Sequence, residues 1–334
     1  MTSLLAKNPR FGSFNKGIYI FTVPVHYYAL CIVTGMIIAA ILSALLMKRR
    51  NMDPDLIFLL FIVCIPSAIV CARLFYCITD GMPIEDWYKI TDGGLSIIGG
   101  VIGGVGSGFL VCVVKKVNFF RAADCVVVNI LIAQAMGRWG NFFNGEVYGG
   151  VVTNPNLQWF PFAVPIVPGG SGLEGFGNPA ATWHYAFFFY EMLLNLIGWA
   201  LLFSFMWYRK KKPNGIATCA YFVWYGSVRM VMEPLRDPTY ILSAGGIPWS
   251  EVFSILMAGL GIIAILVLLI VNFKREGSFT GSRKGDPCGI THFLTPYKDN
   301  KPYYSKINMF GANYPPAPPK EKKKKGGTPP AAGA

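Results

Sequence analysis

Long apolar stretches alternate with short polar or basic loops along most of this chain. Each stretch is long enough, or nearly so, to cross about 30 Å of hydrocarbon. In hydrocarbon such a segment must be helical, because a helix satisfies its own backbone hydrogen bonds. The pattern predicts an all-α integral membrane protein with seven transmembrane helices near residues 27–47, 56–79, 96–114, 122–139, 185–208, 215–233 and 249–273.

The charges between the apolar stretches predict the orientation of the chain. Lysines and arginines cluster in alternate loops, at residues 48–50, 115–121, 209–212 and 274–275. Loops rich in these residues stay in the cytoplasm. The N-terminus is therefore expected outside and the C-terminus in the cytoplasm. Residues 1–26 lack an apolar core before a cleavage site, so no cleaved signal peptide is expected.

The chain divides into a membrane domain and three flanking or inserted segments. Residues 27–275 form the predicted seven-helix transmembrane domain, preceded by an external N-terminal segment at 1–26. Residues 140–184 are rich in glycine, proline and aromatics, which predicts a small external cap. Lysine, proline and glycine dominate residues 276–334, which favours a disordered cytoplasmic tail. A solvated tail is preferred over one whose basic run binds anionic membrane lipids.

Composition agrees with a membrane protein and argues against other classes. Of the 334 residues, 53% are hydrophobic and 14% charged, whereas soluble domains carry about 25% charged residues. The net charge of +13 resides in short loops and the tail, so no nucleic acid partner is expected. The eight cysteines include no CxxC pair and the three histidines lack ligand spacing, so we predict neither a metal site nor a cofactor.

Polar side chains end the fourth apolar stretch, in the segment GRWGNFFNGEVYGG at residues 137–150. Arg138 lies at the end of an apolar stretch, close to the hydrocarbon core of the membrane. An arginine within that core costs about 3 kcal/mol on insertion scales and commonly marks function. An arginine that snorkels to the interface is the alternative. Polar neighbours share its helix face or follow the helix end, and glycines beside them permit close approach of a ligand. The polar neighbours are Gln134, Asn141, Asn144 and Glu146, the last two expected past the helix, and the glycines include Gly149.

A second polar stripe lies on the sixth stretch. Tyr225, Arg229 and Glu233 are spaced by four residues and Arg236 follows three later. They share one helix face until Pro234 disturbs the helix. An ion pair between Arg229 and Glu233 is the structural alternative. Because both stripes approach the predicted outer leaflet and guanidinium groups grip phosphate in a bidentate manner, the arginines predict a site for an anionic headgroup.

Four smaller features have both structural and functional interpretations. Tyr28 begins the first stretch, where a tyrosine is ordinarily a membrane anchor. Glu191 lies early in the fifth stretch, where an acidic side chain needs a partner, and an arginine is the candidate. Arg73, late in the second stretch, is as readily structural as functional. The third stretch pairs Gly99 with Gly103 and Gly100 with Gly104 and lacks a GK[ST] sequence, which predicts close helix packing instead of a phosphate loop.

The polar segments resemble one known family. The sequence AQAMGRWGNFFNGEVYGG at residues 133–150 resembles the signature of the prolipoprotein diacylglyceryl transferases, and YGSVRMVMEPLRDP at 225–238 resembles their second polar stripe. Shorter matches are HYYAL, ARLFY and FYE. Together, all of these matches extend over roughly residues 20–275. One departure is Ile98, which stands where the family usually has a histidine that has been proposed as a base.

The resemblance implies an enzyme of the bacterial inner or plasma membrane. Such enzymes transfer the diacylglyceryl group of phosphatidylglycerol to the lipobox cysteine thiol of a lipoprotein precursor, which yields a thioether and glycerol phosphate. Arg138 and Arg229 are then expected to hold the phosphate and activate the thiol. Asn141 and Asn144 would orient the glycerol, and Glu146 would position an arginine or accept a proton. Tyr28 and Arg236 would line the entrance, and further substrate contacts are expected from Gly149, Tyr225 and Glu233.

Two other functions use the same residues. An anion or lipid transporter would bind its cargo through these arginines, although the chain shows no convincing internal repeat. A catalytically silent relative that only binds lipid or precursor is the second alternative, motivated by Ile98.

Overall fold

The computed structural model describes residues 11–14, 16–20, 23–80, 82–83, 85, 87–88, 94–167, 169–208, 214–236, 243–244 and 247–276. These residues form seven α-helices, each within a few residues of a predicted stretch. They are α1 (Tyr27–Arg49), α2 (Asp55–Thr79), α3 (Ile97–Val114), α4 (Phe119–Asn144), α5 (Phe187–Tyr208), α6 (Ile216–Met232) and α7 (Trp249–Glu276). The predicted tail after residue 276 and the basic loop at 209–212 lie outside the described residues.

Six of the described helices are long and apolar enough to cross a membrane. The shorter α6 has 17 residues and carries Tyr225 and Arg229 of the second polar stripe. Large apolar side chains point outward along these helices, for example Ile37, Phe58, Leu110 and Leu260. Such an exposed apolar surface suits lipid, as expected of a multi-pass membrane protein. The direction in which the helices cross the membrane stays a prediction.

Short strands accompany the helices, so the expectation of an all-α protein was incomplete. A three-stranded antiparallel sheet precedes α1, and two-stranded hairpins lie between α4 and α5 and before α7. Backbone groups outside helices still need partners, and these loops obtain them by pairing. The strands are β1 (Phe11–Phe14), β2 (Gly17–Ile20), β3 (Val23–His26), β4 (Ala163–Ile166), β5 (Thr182–Tyr185), β6 (Ser243–Ala244) and β7 (Ile247–Pro248).

Helix α4 also runs further than predicted. It ends at Asn144, and Gly145 closes it with a left-handed backbone conformation of φ 67°. Asn144 therefore lies in the last helical turn and not beyond the helix. The segment predicted as a cap, residues 140–184, begins inside this helix.

Helix α4 is the centre of the bundle and packs against α1, α5 and α6. Two sets of polar contacts attach α4 to its neighbours in the part of the helix that is far from its C-terminal end. The buried carboxylate of Asp124 accepts hydrogen bonds from the backbone N–H groups of Gly215 and Thr218, at 3.0 and 2.9 Å, and so caps the start of α6. One turn later Asn129 accepts a hydrogen bond from Trp199 Nε1 of α5 at 3.1 Å. These contacts fix how far α5 and α6 are shifted along α4.

The glycines of α3 bring its backbone close to α2, as the sequence predicts. A Cβ atom placed on Gly103 would lie 2.6 Å from both the carbonyl oxygen of Ser67 and Cβ of Cys71. Gly99 approaches the carbonyl of Cys71 still more closely. At Gly100 and Gly104 the nearest atoms are at 3.7 Å, an ordinary contact distance. Gly99 and Gly103 are thus the pair that sets the α2–α3 spacing.

We expect Gly103→Ala to destabilise the protein by about 1–3 kcal/mol, because the new methyl group must push α2 and α3 apart. The control is Gly106→Ala on the same helix, where an added Cβ meets no atom within 4 Å. Thermal unfolding of the purified protein in detergent measures both. Equal melting temperatures for the two variants would contradict the assigned packing role.

Candidate active site

One buried carboxylate gathers three arginines. Glu191, on the second turn of α5, is 1% exposed. Its Oε2 lies 2.7 Å from Nη2 of Arg138 and 3.9 Å from Nη1 of Arg229. Its Oε1 accepts from Nε of Arg236 at 3.1 Å and also contacts Nη2 of that arginine. The arginine partner predicted for Glu191 is confirmed, and the carboxylate holds three guanidinium groups in place of one.

A second buried carboxylate joins the same cluster. Glu233 Oε2 lies 2.5 Å from Arg229 Nη2 and 3.5 Å from Arg236 Nη1. The ion pair that was the structural alternative for Arg229 therefore forms. It does not remove Arg229 from the site, because the same side chain also faces Glu191. We call these five residues, Arg138, Arg229, Arg236, Glu191 and Glu233, the arginine cluster.

The charges of the arginine cluster do not cancel. Its three guanidinium groups carry three positive charges and its two carboxylates two negative charges, which leaves one positive charge in excess. A charge pair in a medium of low dielectric interacts far more strongly than in water. Within these five residues one positive charge is therefore left for an anion, while the carboxylate of Glu146 lies beyond Asn141.

Separate elements bring these groups together. Arg138 comes from the penultimate turn of α4, Glu191 from the second turn of α5 and Arg229 from the last turn of α6. Pro234 lies in a 3₁₀ turn, Glu233–Leu235, that ends α6 and directs Arg236 back towards the bundle. The backbone of Arg236 forms an antiparallel bridge with Gly149, so the signature segment and the second stripe are joined directly.

The predicted entrance role of Arg236 stays a prediction. Its side chain is 6% exposed and bound to two carboxylates. A guanidinium group that pairs with two buried acids also helps to hold them in place. Gly149, which pairs with it, has no room for a side chain, since an added Cβ would lie 2.9 Å from the ring of Phe187.

A chain of amides links the cluster to Glu146. Arg138 Nη1 donates to Asn141 Oδ1 at 3.2 Å, and Asn141 Nδ2 donates to Glu146 Oε1 at 2.9 Å. Asn144 Nδ2 donates to the same oxygen at 3.1 Å. Glu146 thus reaches Arg138 through Asn141, and both hydrogen bonds fall on one of its two oxygens. The arrangement supports positioning of Arg138 by Glu146, which was one of its two predicted roles.

The two predicted tyrosines flank the site. The ring of Tyr28 packs on Gly140, where an added Cβ would lie 2.6 Å from Tyr28 Cδ2, and it lies within electrostatic range of Glu146 and Arg138. Tyr225 stacks on Tyr221 with ring centres 5.8 Å apart and lies within electrostatic range of Arg138. Tyr28 is therefore more than a membrane anchor, since it fills a gap in the polar end of α4.

The hydrogen bonds described for His184 lie outside the arginine cluster. Ile98 is 53% exposed on α3, whose main partner is α2. His184 of β5 is buried and bonds the carbonyl of Gly149 through Nδ1 at 2.9 Å. It therefore supports the backbone that pairs with Arg236. Arg73 binds the carbonyls of Trp87 and Gly94, at 3.2 and 3.1 Å, which is the structural alternative predicted for it.

The sequence predicted an arginine partner for Glu191 but did not predict that Glu191 belongs to the site. An acidic residue inside an apolar stretch has few acceptable partners, and this feature could have indicated its role. The described residues contain no group of three or more His, Cys, Asp or Glu side chains arranged to hold a metal ion. What the site offers is a preorganised set of cations and amides.

Known proteins are similar in sequence to this chain over most of its length. The family profile of prolipoprotein diacylglyceryl transferases matches residues 17–267. The phosphatidylglycerol–prolipoprotein diacylglyceryl transferase of Clostridium novyi (strain NT) is 34% identical over 264 residues, 78% of this chain and 96% of the relative. The protein of the same description from Streptococcus pneumoniae (strain Hungary19A-6) is 35% identical over 246 residues, 72% of this chain and 89% of the relative. The chain therefore belongs to the prolipoprotein diacylglyceryl transferase family.

Proposed function

We propose that this protein transfers the diacylglyceryl group of phosphatidylglycerol to the lipobox cysteine thiol of lipoprotein precursors. It is a multi-pass membrane enzyme of the bacterial family to which it belongs. The observation that carries the proposal is the single excess positive charge of the arginine cluster. A phosphodiester carries one negative charge, so the headgroup phosphate of this lipid complements the cluster.

The proposed reaction places new charge where the cluster can stabilise it. The cysteine sulfur forms a bond to the terminal glyceryl carbon, and the bond from that carbon to the phosphate oxygen breaks. The oxygen keeps the electron pair, so glycerol phosphate leaves with more negative charge than the phosphodiester had. Fixed guanidinium groups in a dry site stabilise that developing charge more than the ground state, which is the condition for acceleration.

The arginines divide into contacting and supporting groups by their exposure. The side chains of Arg138 and Arg229 keep 15% and 16% of their surface accessible, whereas that of Arg236 keeps 6%. Arg138 and Arg229 are therefore the groups available to touch phosphate. We assign Arg236 to holding Glu191 and Glu233 in place.

The thiol proton needs a destination, and Glu146 is the best placed carboxylate. Glu191 and Glu233 are already engaged by arginines. Glu146 receives both of its described hydrogen bonds on Oε1, so Oε2 is available for a proton. Nearby guanidinium groups also favour the thiolate over the thiol. In this proposal Asn141 and Asn144 orient Glu146 and the glycerol, while Tyr28 and Tyr225 flank the lipid.

The proposal includes the arrangement of the protein in the membrane. The arginine cluster lies at the outer-leaflet side, with the segment between α4 and α5 as an external cap. The N-terminal segment faces outward and the basic tail faces the cytoplasm, where it is solvated. This places the cluster on the side at which secreted precursors emerge. The partners are then phosphatidylglycerol, lipoprotein precursors and membrane lipid, with no nucleic acid.

In the direct test, purified protein is incubated with a lipobox peptide and with phosphatidylglycerol that is labelled in its diacylglyceryl unit. We expect label on the cysteine peptide and none on the matching serine peptide, because a thioether requires sulfur. Mass spectrometry of the peptide measures the transfer. Lipid binding without transfer would favour the silent relative, and anion movement across vesicles would favour the transporter.

We expect Arg138→Lys to lower kcat/KM for transfer by at least about 100-fold. Lysine keeps the charge but cannot place one nitrogen on Glu191 and another on Asn141 while also gripping phosphate. The matched control is Arg49→Lys, because Arg49 lies at the other end of the bundle beside Trp207. Activity near the wild-type level in Arg138→Lys would exclude Arg138 from the phosphate site.

We expect Glu191→Gln to destabilise the protein by about 3–5 kcal/mol, because three guanidinium groups then lose their shared buried counter-charge. The control is Glu174→Gln, since Glu174 accepts a hydrogen bond from the backbone N–H of Ser171 and has no described arginine contact. Thermal unfolding in detergent measures both variants. A Glu191→Gln protein as stable as the control would show that the arginines do not depend on this carboxylate.

A further inference from the structure

A group of aromatic side chains lies outside the arginine cluster, on the segment between α4 and α5. Trp159, Phe160 and Phe162 are all exposed, the first of them over 51% of its surface. The rings of Trp159 and Phe162 meet edge to face with centres 4.9 Å apart. We call residues 159–162 the aromatic loop. Neighbouring apolar side chains exposed together commonly mark contact with another apolar surface.

Two kinds of contact hold the aromatic loop at the start of α5. The carbonyl of Phe162 accepts hydrogen bonds from the backbone N–H of Ala186, at 3.2 Å, and from the hydroxyl of Tyr190. The ring of Phe160 packs against that of Phe189 with ring centres 4.9 Å apart. The aromatic loop therefore lies at the level of the first turn of α5.

The length of α5 places that level at a membrane surface. The helix has 22 residues, which at 1.5 Å per residue gives a length of about 33 Å. The hydrocarbon core of a membrane is about 30 Å thick, so a helix of this length that crosses it begins near one boundary and ends near the other. The aromatic loop is therefore at the depth of the lipid headgroups.

The aromatic loop also lies on the lipid-facing side of α5. Leu193, Ile197 and Leu201 are exposed and spaced by four residues, so they form one apolar stripe along the helix. Phe189 precedes Leu193 by four residues and continues this stripe to the start of the helix. Because Phe160 packs on Phe189, the aromatic loop stands at the end of a surface that contacts lipid.

The chemistry of the aromatic loop suits the headgroup region. Residues 147–173 contain no Lys, Arg, Asp or Glu, so no charge has to leave water. Nε1 of Trp159 donates to the carbonyl of Asn156 at 3.0 Å, so the indole can enter an apolar environment with its hydrogen bond made. Tryptophan is enriched at membrane interfaces. Non-helical backbone is excluded from lipid hydrocarbon, which limits the loop to a shallow position.

We propose that the aromatic loop inserts into the headgroup region of the membrane and holds the segment between α4 and α5 against the lipid surface. The partner is the bilayer itself, at the membrane face where α5 begins. The same segment carries Gly149, whose backbone pairs with Arg236 of the arginine cluster. Lipid contact would therefore fix this segment beside the cluster. The inference concerns lipid contact alone and does not depend on the proposed transfer.

Fluorescence quenching of Trp159 tests this inference. The full chain and its Trp159→Phe variant are placed in nanodiscs of phosphatidylcholine that carries bromine either near the headgroup end or near the methyl end of its acyl chains. Bromine quenches an indole on contact, and the emission of the wild type minus that of the variant belongs to Trp159. We expect this emission to be lost mainly with the shallow bromine and little with aqueous iodide, because the indole lies at the interface.

The control is Trp183→Phe, because Trp183 belongs to the same segment but lies on β5 opposite Pro165. The emission assigned to Trp183 in the same way should lose less to shallow bromine than that of Trp159. Equal losses for the two indoles would overturn the assignment to the aromatic loop. Quenching of Trp159 by iodide and not by bromine would place the loop in water and overturn the inference.

Two further outcomes would assign the aromatic loop to a different partner and would also overturn the inference. Shielding of Trp159 from both quenchers would mean that protein, either this chain or a second copy, covers the loop. Quenching by iodide that disappears when a lipobox peptide is added would mean that the loop binds the precursor and not lipid.

Discussion

The convergence of three arginines depends on the buried carboxylate of Glu191. Like charges repel strongly where water is excluded, so Arg138, Arg229 and Arg236 could not share a site without a counter-charge between them. Glu191 contacts all three, of which Arg138 comes from α4 while Arg229 and Arg236 come from α6 and the turn that ends it. The same interaction therefore joins α4, α5 and the end of α6. It holds the bundle together at the level where the proposed chemistry takes place.

The arginine cluster has one more positive than negative charge, and this excess connects the helix arrangement with the proposed function. Full neutralisation would leave no attraction for a phosphodiester, and a further uncompensated arginine would be costly to bury. In the proposed function, one excess positive charge is a compromise that a singly charged lipid phosphate would complete. The cluster would then interact most strongly with the more highly charged leaving group, because its donors are already oriented.

The helices and the two polar stripes could be predicted from the sequence because each depends on local spacing. Apolar length alone predicts a membrane helix, and residues four apart share a face whatever the tertiary structure. Glu191 shows the limit of this reasoning, since it lies 45 residues from Arg236 and no local pattern joins them. The burial of Arg236 was missed for the same reason. The short strands were missed because pairing between loops leaves little periodicity in two to four residues.

Three contact levels along α4 explain how the arginine cluster can be well ordered. Asp124 caps α6, Asn129 bonds Trp199, and Arg138 pairs with Glu191. Each fixes a neighbouring helix against α4, and the level of Gln134 lies between the last two. Gln134 therefore lies on a helix whose register is already determined on both sides. Its hydrogen bond to Tyr221 adds a further link from α4 to α6, so the arginine cluster stands at the end of a helix that is fixed along its length.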